Sequence, residues 1–293
     1  MLVSTISALL ATGRPLLLPG TWDALSASLA VRGGFEVVFL SGYCLSATRL
    51  AQPDFGLITQ TEVIEIATRI RAAVDRPLIV DIDTGYGNAF NVERTVDELV
   101  RIGAAGCFLE DQVWPKRCGH MDRKRVVPLE EYLPKLRAAL RTRGAAAFHV
   151  TARTDARAAE GLDEAIRRAR AFADAGADAV FVEAPQSIDE MEQIRAAVPT
   201  VVPLVANMVE HGKTPLRTAS ELCAAGYQIV AFPVSALLAA TKVMERVYAS
   251  LVRDGASAAC NDDLLSFAAM NSLVGLDERY AREREWRSPD DAD

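Results

Sequence analysis

Eight short apolar runs, spread along most of a 293-residue chain and separated by stretches of helical periodicity, restrict this sequence more than any single motif in it. The runs are Pro15–Pro19, Glu36–Leu40, Leu78–Asp81, Gly106–Glu110, Phe148–Ala152, Ala179–Glu183, Val202–Ala206 and Gln228–Phe232. Between and after them lie helical patterns at Asp23–Arg32, Thr61–Val74, Val92–Ile102, Leu129–Arg143, Leu162–Ala175, Ile188–Ala197, Ala219–Ala225 and Ala236–Arg253. Strands that alternate with helices pair in parallel through helical crossovers. Eight such units predict a closed (β/α)8 TIM barrel, a fold for which this length is ordinary. A doubly wound open sheet is the runner-up, but it usually has fewer strands.

An internal echo supports closure. Gly34, Gly103, Gly176 and Gly226 each follow a helix, where a glycine relieves the strain of a left-handed residue. Seven residues beyond each stands a strand-end residue: Ser41, Glu110, Glu183 and Pro233. Glu110 and Glu183 therefore occupy equivalent strand ends, on the rim where barrels of this kind build their sites. The barrel is assigned to residues 1–255. The remainder, 256–293, is read as a helical tail for subunit packing, with amphipathic segments at Asp262–Met270 and Leu276–Trp286.

Half of the residues are hydrophobic, so the core can be large. A net charge of −7 argues against nucleic acid and anionic membranes as partners. No apolar run approaches the roughly 20 residues of a membrane span, and no basic, apolar leader opens the chain. The five cysteines, Cys44, Cys107, Cys118, Cys223 and Cys260, are scattered and lack a Cys-x-x-Cys pair. That pattern predicts neither a disulfide framework nor a zinc site, and it fits a reducing cytoplasm.

The strand ends gather the chemistry. Leu78–Val80 runs into Asp81-Ile-Asp83, and alternation puts both carboxylates on one face of the strand tip. Two readings stand at this point. One carboxylate can cap the next helix or close an Asx-turn. Alternatively, a hard divalent cation between them relieves their repulsion. Glu110 on the next strand favours the cation, with Arg153 and Asn207 on later strands facing it. Such a rim suits a small dianion that chelates metal at one end and meets Arg153 at the other. The alternative for Arg153 is a salt bridge to Asp155 or Glu183.

The loop after the fourth strand, Glu110–His120, is long and holds Lys116, Arg117, Cys118, Gly119 and His120. Cations beside a cysteine lower its thiol pKa and suit it to acid–base or nucleophilic work. His149 opens a strand and is assigned to the core. His211 is assigned with equal weight to the pocket or the surface.

Lys116-Arg-Cys-Gly-His120 following Glu110-Asp-Gln112, together with Asp81-Ile-Asp-Thr-Gly-Tyr-Gly87, Ala152-Arg-Thr-Asp155, Asn207-Met-Val-Glu210 and Gly212-Lys-Thr-Pro215, resembles the isocitrate lyase and phosphoenolpyruvate mutase superfamily. The blocks occur in the family's order and span roughly Pro15 to Gly255. The nearest resemblance is to methylisocitrate and 2,3-dimethylmalate lyases, and to lyases of broad 2-alkylmalate and oxaloacetate specificity.

The resemblance implies a Mg²⁺-dependent barrel, with Mn²⁺ as a substitute, whose eighth helix is swapped between subunits of a homodimer or homotetramer. It implies that Asp81 binds the metal directly and that Asp54, Asp83 and Glu110 reach it through water; Asp54 enters only as part of the matching block Pro53–Gly56. It implies that Ser41 and Gly42 hold the α-keto acid end of a di- or tricarboxylate substrate. Arg153, Glu183, Asn207, Gly119 and His120 line the rest of the pocket. Cys118 protonates the carbanion left by C–C cleavage, with Lys116 beside it.

In one place the sequence departs from the pattern. Methylisocitrate lyases carry a tyrosine two residues before the Ser-Gly pair, and this chain has Phe39, with Tyr43 just beyond. Tyr43, a water or a metal-bound hydroxide is then left as the base for the substrate hydroxyl. The implied reaction is cleavage of a 2-hydroxy dicarboxylate to an α-keto acid and a carboxylate. Oxaloacetate hydrolysis or decarboxylation and carboxyphosphonoenolpyruvate mutase-like chemistry are the alternatives. A barrel retained only for binding would have no need of so many strained polar groups in one place.

Overall fold

In a computed structural model, which describes residues 5–119, 121 and 123–286, eight parallel strands close into a barrel in sequence order, β8 returning to pair with β1. The strands are β1 (Leu16–Thr21), β2 (Val38–Leu40), β3 (Leu78–Asp81), β4 (Gly106–Glu110), β5 (His149–Thr154), β6 (Ala179–Val182), β7 (Leu204–Asn207) and β8 (Ile229–Phe232). The crossover helices match the sequence pattern to within a few residues at each end. Ala24–Arg32, Gln60–Ala73, Ala89–Arg101, Leu129–Thr142, Leu162–Asp174, Ile188–Ala197 and Ala219–Ala224 lie between successive strands, and Ser235–Asp254 follows β8.

Local chemistry sets these boundaries. The side chains of Asp23, Thr59, Asn88 and Thr218 each accept a hydrogen bond from the N–H of the third residue of the helix they begin, and each cap residue's own N–H donates to that residue's side chain in a capping box. The four echo glycines all adopt left-handed conformations, with φ between 76° and 97°. They stop a helix and turn the chain into the next strand.

Period-two alternation divides each strand between two cores. Leu16, Leu18, Phe39, Ile79, Phe108, Phe181, Val205, Ile229 and Ala231 point inward and pack together. The rings of Phe39 and Phe108 lie 5.0 Å apart, and those of Phe108 and Phe181 5.8 Å apart. The intervening residues, such as Val38, Leu40, Leu78, Val80, Leu109 and Val180, pack outward against the helices.

Several short elements have no counterpart in the sequence pattern. Thr5 caps a five-residue helix, Ile6–Leu10. Ser41 caps Gly42–Leu45, which continues as a π-helical turn, Ser46–Leu50. Ala156–Ala159 follows β5 directly. All are too brief to show periodicity.

The chain divides into two compact units, at Leu237/Leu238, inside the helix Ser235–Asp254 and ahead of the 255/256 boundary read from the sequence. In the second unit, the helix expected over Asp262–Met270 is broken. A 3₁₀ turn covers Ala258–Asp263, Leu264 is extended, and Ser266 caps a new helix, Phe267–Leu273. A serine hydroxyl that accepts from the Ala269 N–H at 3.1 Å starts a helix where the hydrophobic pattern alone would have run through. Leu276–Trp286 forms the last helix, as its pattern predicts. Among the described residues no helix is long and apolar enough to cross a membrane.

Candidate active site

The inward register continues past the core into the rim. Two residues beyond inward Phe39, Ile79, Phe108, Phe181 and Val205 stand Ser41, Asp81, Glu110, Glu183 and Asn207. On β5, Thr151 pairs with Phe108, and Arg153 pairs with Glu110. Alternation thus brings six polar side chains onto the inner edge of the barrel mouth.

The acidic side is built around Gly42. Its N–H donates to Asp81 Oδ2 at 3.3 Å. A Cβ on this glycine would stand 3.0 Å from Asp81 Oδ2 and 3.3 Å from Asp83 Oδ1, so both carboxylates point to one spot beside its backbone. Asp83 takes a left-handed conformation, φ 50°, which bends the chain back toward β4, where its carbonyl accepts the Glu110 N–H at 2.9 Å. Asp54 arrives from the loop after the π turn.

Lys116 lies between two of these carboxylates, its ammonium 2.6 Å from Asp54 Oδ2 and 2.7 Å from Asp83 Oδ1. Burial raises the Asp83 carboxyl to about 7, against the pull of Lys116 and with the help of neighbouring Asp81 and Asp54. Burial likewise raises Glu110 well above the carboxylate range, and its Oε1 has no hydrogen-bond partner among the described residues. Among those residues no three His, Cys, Asp or Glu side chains form a ready-made metal cage. The set is nevertheless chemically apt for a hard divalent cation, which takes oxygen donors, often needs only one or two carboxylates and keeps several waters. An acidic cluster with raised carboxyl pKa values and one partnerless buried oxygen is short of positive charge.

Arg153 forms the opposite side. Its guanidinium meets Asp155 at 2.9 Å, Glu183 at 3.1 Å and Glu110 at 3.2 Å, and stacks 5.2 Å over the Phe181 ring. The bland reading of Arg153, pairing with Asp155 or Glu183, is therefore correct as geometry. The same pairing holds the guanidinium at the rim. Asn207 donates to both oxygens of Glu183, at 3.2 and 3.3 Å, and its own Oδ1 is buried without a partner among the described residues.

The β4 loop closes over this pair. Gly119 leaves no room for a side chain: a Cβ there would fall 2.3 Å from Glu183 Oε2 and 2.5 Å from the Arg153 guanidinium. Gln112 braces the loop, its side-chain amide accepting from the Arg117 N–H at 2.9 Å and donating to the Arg117 carbonyl at 2.8 Å. Half-buried Cys118 donates its N–H to the Asp54 carbonyl at 3.1 Å. The two cations flanking Cys118 in sequence are directed elsewhere. Lys116 faces Asp54 and Asp83, and the Arg117 guanidinium stands 5.4 Å over the Phe55 ring. His120 lies outside the described residues.

Ser41 is buried, its hydroxyl accepting from the Cys44 N–H at 3.4 Å. Tyr43 is half-buried, and burial, followed by Cys118, raises its phenol pKa. Phe39, in the position of the family tyrosine, is packed in the barrel interior. His149 is buried as expected, while His211 is exposed on its loop with φ 59°. Met208 is buried, and Trp114 is 44% exposed, with Tyr86 edge-on to it at 6.4 Å.

Sequence reasoning missed Lys124. Its ammonium, sealed from solvent, contacts Asp155 Oδ1 at 2.6 Å and the Gly119 carbonyl. Nothing in Arg123-Lys-Arg125 distinguishes it from a solvated charge run. Also missed was the role of Asp111 in fixing β5. It accepts from the Thr154 hydroxyl at 2.6 Å, the Asp155 N–H at 3.0 Å and Arg168 at 2.9 Å.

The chain is similar along most of its length to proteins of known activity. The petal death protein of Dianthus caryophyllus is 43% identical over 286 residues, covering 97% of this chain and 89% of its own. A 2,3-dimethylmalate lyase of Eubacterium barkeri is 43% identical over 270 residues, covering 92% and 93%. A phosphonopyruvate hydrolase solved with oxalate and Mg²⁺ superposes with a TM-score of 0.85 at 33% identity, covering 95% of this chain and 96% of that one. With residues 6–252 matching the family of phosphoenolpyruvate phosphomutase, the chain belongs to that family, within the superfamily that its active-site blocks resemble.

Proposed function

We propose that this protein is a Mg²⁺-dependent carbon–carbon lyase that cleaves a 2-hydroxy dicarboxylate of the 2-alkylmalate or methylisocitrate type into an α-keto acid and a carboxylate. The observation that supports the reading is the seating of Gly119 on the Arg153–Glu183 pair, next to Cys118, whose N–H donates to the carbonyl of Asp54.

Asp81 would hold the ion, with Asp83, Asp54 and Glu110 supporting it through water; Mn²⁺ could take its place. When bound, the ion would supply Lewis acidity, lowering the pKa of the substrate hydroxyl and stabilising its alkoxide, from which the C–C bond breaks with the electron pair passing to the second fragment. Ser41 and the Gly42 backbone flank that end of the substrate. Arg153 and Asn207 receive the far carboxylate, since a guanidinium offers five donors in a rigid fork and the Asn207 amide already lies beside it. Cys118 delivers the proton to the second fragment. Lys116 pairs with Asp54 and Asp83 on the acidic side, and His120 is assigned with it to the loop. Tyr43, its phenol pKa raised by burial, suits the donor side of a hydrogen bond better than the base.

No disulfide joins the cysteines among the described residues, which fits a reducing cytoplasm. The second compact unit exposes Tyr248, Val252, Leu265 and Phe267. Such apolar side chains support a homodimer or homotetramer in which residues 256–293 pack on another subunit.

A panel of 2-alkylmalates, methylisocitrate and oxaloacetate, assayed with Mg²⁺ for keto-acid release, tests the proposal. Release from at least one 2-hydroxy dicarboxylate that is abolished by EDTA is expected. Turnover of oxaloacetate alone would replace lyase with hydrolase or decarboxylase, and turnover of none would overturn the reading.

A further inference from the structure

We propose that Lys124 is a positioning residue that ties the Cys118–Gly119 turn to Asp155, and through Asp155 to Arg153. Its ammonium donates to the Gly119 carbonyl and lies 2.6 Å from Asp155 Oδ1, with none of the side chain exposed. Removing a lysine from water is costly, and a well-packed apolar side chain would serve stability as well or better. A lysine whose two partners are a loop carbonyl and the carboxylate shared with Arg153 has a geometric consequence at the site that a packing residue lacks.

Asp155 is itself rigidly placed. Its N–H is held by Asp111, and Asp111 by Arg168. Burial alone would raise the Asp155 carboxyl, yet Arg153 and Lys124 hold it well below the carboxylate range. The ionised group therefore stands as a fixed post between two cations. On one side Arg153 donates its Nε at 2.9 Å and is oriented toward Glu110 and Glu183. On the other, Lys124 reaches the turn carbonyl. Among the described residues the turn is also anchored by the Cys118 N–H to the Asp54 carbonyl, by the Met121 N–H to the Cys118 carbonyl and, one residue earlier, by Gln112 at the Arg117 backbone. Lys124 thus sets how Gly119 meets the Arg153–Glu183 pair, and with it the direction of the preceding Cys118.

The experiment compares the full-length protein with Lys124→Met, using melting temperature, kcat and KM, and the rate at which iodoacetamide alkylates Cys118, followed at the level of its peptide. Alkylation of Cys118 is expected to rise at least threefold in the folded variant. Turnover should fall about 30-fold while KM changes less than threefold. A folded variant that alkylates Cys118 at the wild-type rate and keeps wild-type kcat overturns the proposal. If Lys124→Met does not fold, Lys124→Leu, which likewise removes the donor to the Gly119 carbonyl, is read by the same criteria. The inference rests on the site being the reaction centre proposed above, but the alkylation readout needs no substrate. An alkylation change without wild-type turnover of any panel compound would disprove the lyase reading and leave the tether standing; the converse would disprove the tether alone.

Discussion

Lys116 holds its ammonium 2.7 Å from Asp83 Oδ1, inside the group of carboxylates where a divalent cation is proposed to bind. Burial would lower the lysine pKa, but Asp83, Asp54 and Glu110 keep it charged, well above its ordinary value. The lysine and the metal thus answer the same excess of negative charge, and each reduces the need for the other.

Lys116→Met should therefore bind Mg²⁺ more tightly than the wild type, by at least about tenfold, since even two unit charges about 4 Å apart repel by about 4 kcal/mol at an effective dielectric near 20. Titration calorimetry at pH 7 measures this directly. Keto-acid release should fall in the same variant, because Asp54 and Asp83 lose the ammonium that pairs with both and fixes their positions. Weaker Mg²⁺ binding would show that Lys116 supports the ion instead of competing with it.

Gly119→Ala places a methyl group 2.3 Å from Glu183 Oε2 and 2.5 Å from the Arg153 guanidinium, both on side chains already pinned by other contacts. The turn must lift by about an ångström, and displacements of that size at a reacting centre cost about a hundredfold. The expected outcome is a loss of that order in kcat/KM, with a melting temperature within a few degrees of wild type, since the loop lies outside both core clusters. Activity within threefold of wild type would show that the seating of Gly119 is not required.

Cys118→Ser replaces the proposed proton donor with a weaker acid of nearly the same shape. Turnover should fall by two orders of magnitude or more, the scale of a lost general acid, while Mg²⁺ affinity measured by calorimetry stays unchanged. Near-normal turnover would remove Cys118 from the mechanism.

His149 allows a pH test away from the site. Burial depresses its pKa to about 4, opposed by Asp178 and reinforced by Arg143. The folded state therefore prefers neutral imidazole, whereas the unfolded chain protonates near 6.5. The stability this contributes is complete above pH 6.5 and is lost as pH falls from there toward 4, at most about 3 kcal/mol at 1.36 kcal/mol per pH unit. Melting temperature should drop more steeply between pH 6.5 and 5 in the wild type than in His149→Gln. Parallel curves would contradict the buried neutral histidine.

The sequence by itself determined the barrel and most of its rim. Eight apolar runs separated by amphipathic helices leave little choice but parallel closure. The period of two along a strand then carries inward Phe39, Ile79, Phe108, Phe181 and Val205 to Ser41, Asp81, Glu110, Glu183 and Asn207. This information is local, because a strand turns successive side chains to opposite faces whatever surrounds it. The tertiary structure alone decided what the long side chains of the β4 loop touch. Lys116 and Lys124 stand in near-identical basic surroundings in sequence, yet one ends between Asp54 and Asp83 and the other between Asp155 and the Gly119 carbonyl. Arg117 turns away to Phe55, and His211 to solvent. A flexible stem of several bonds in an irregular loop has no repeating direction to read. Its partner is set by where distant segments meet, and by the cost of leaving a buried charge unpaired once they have met.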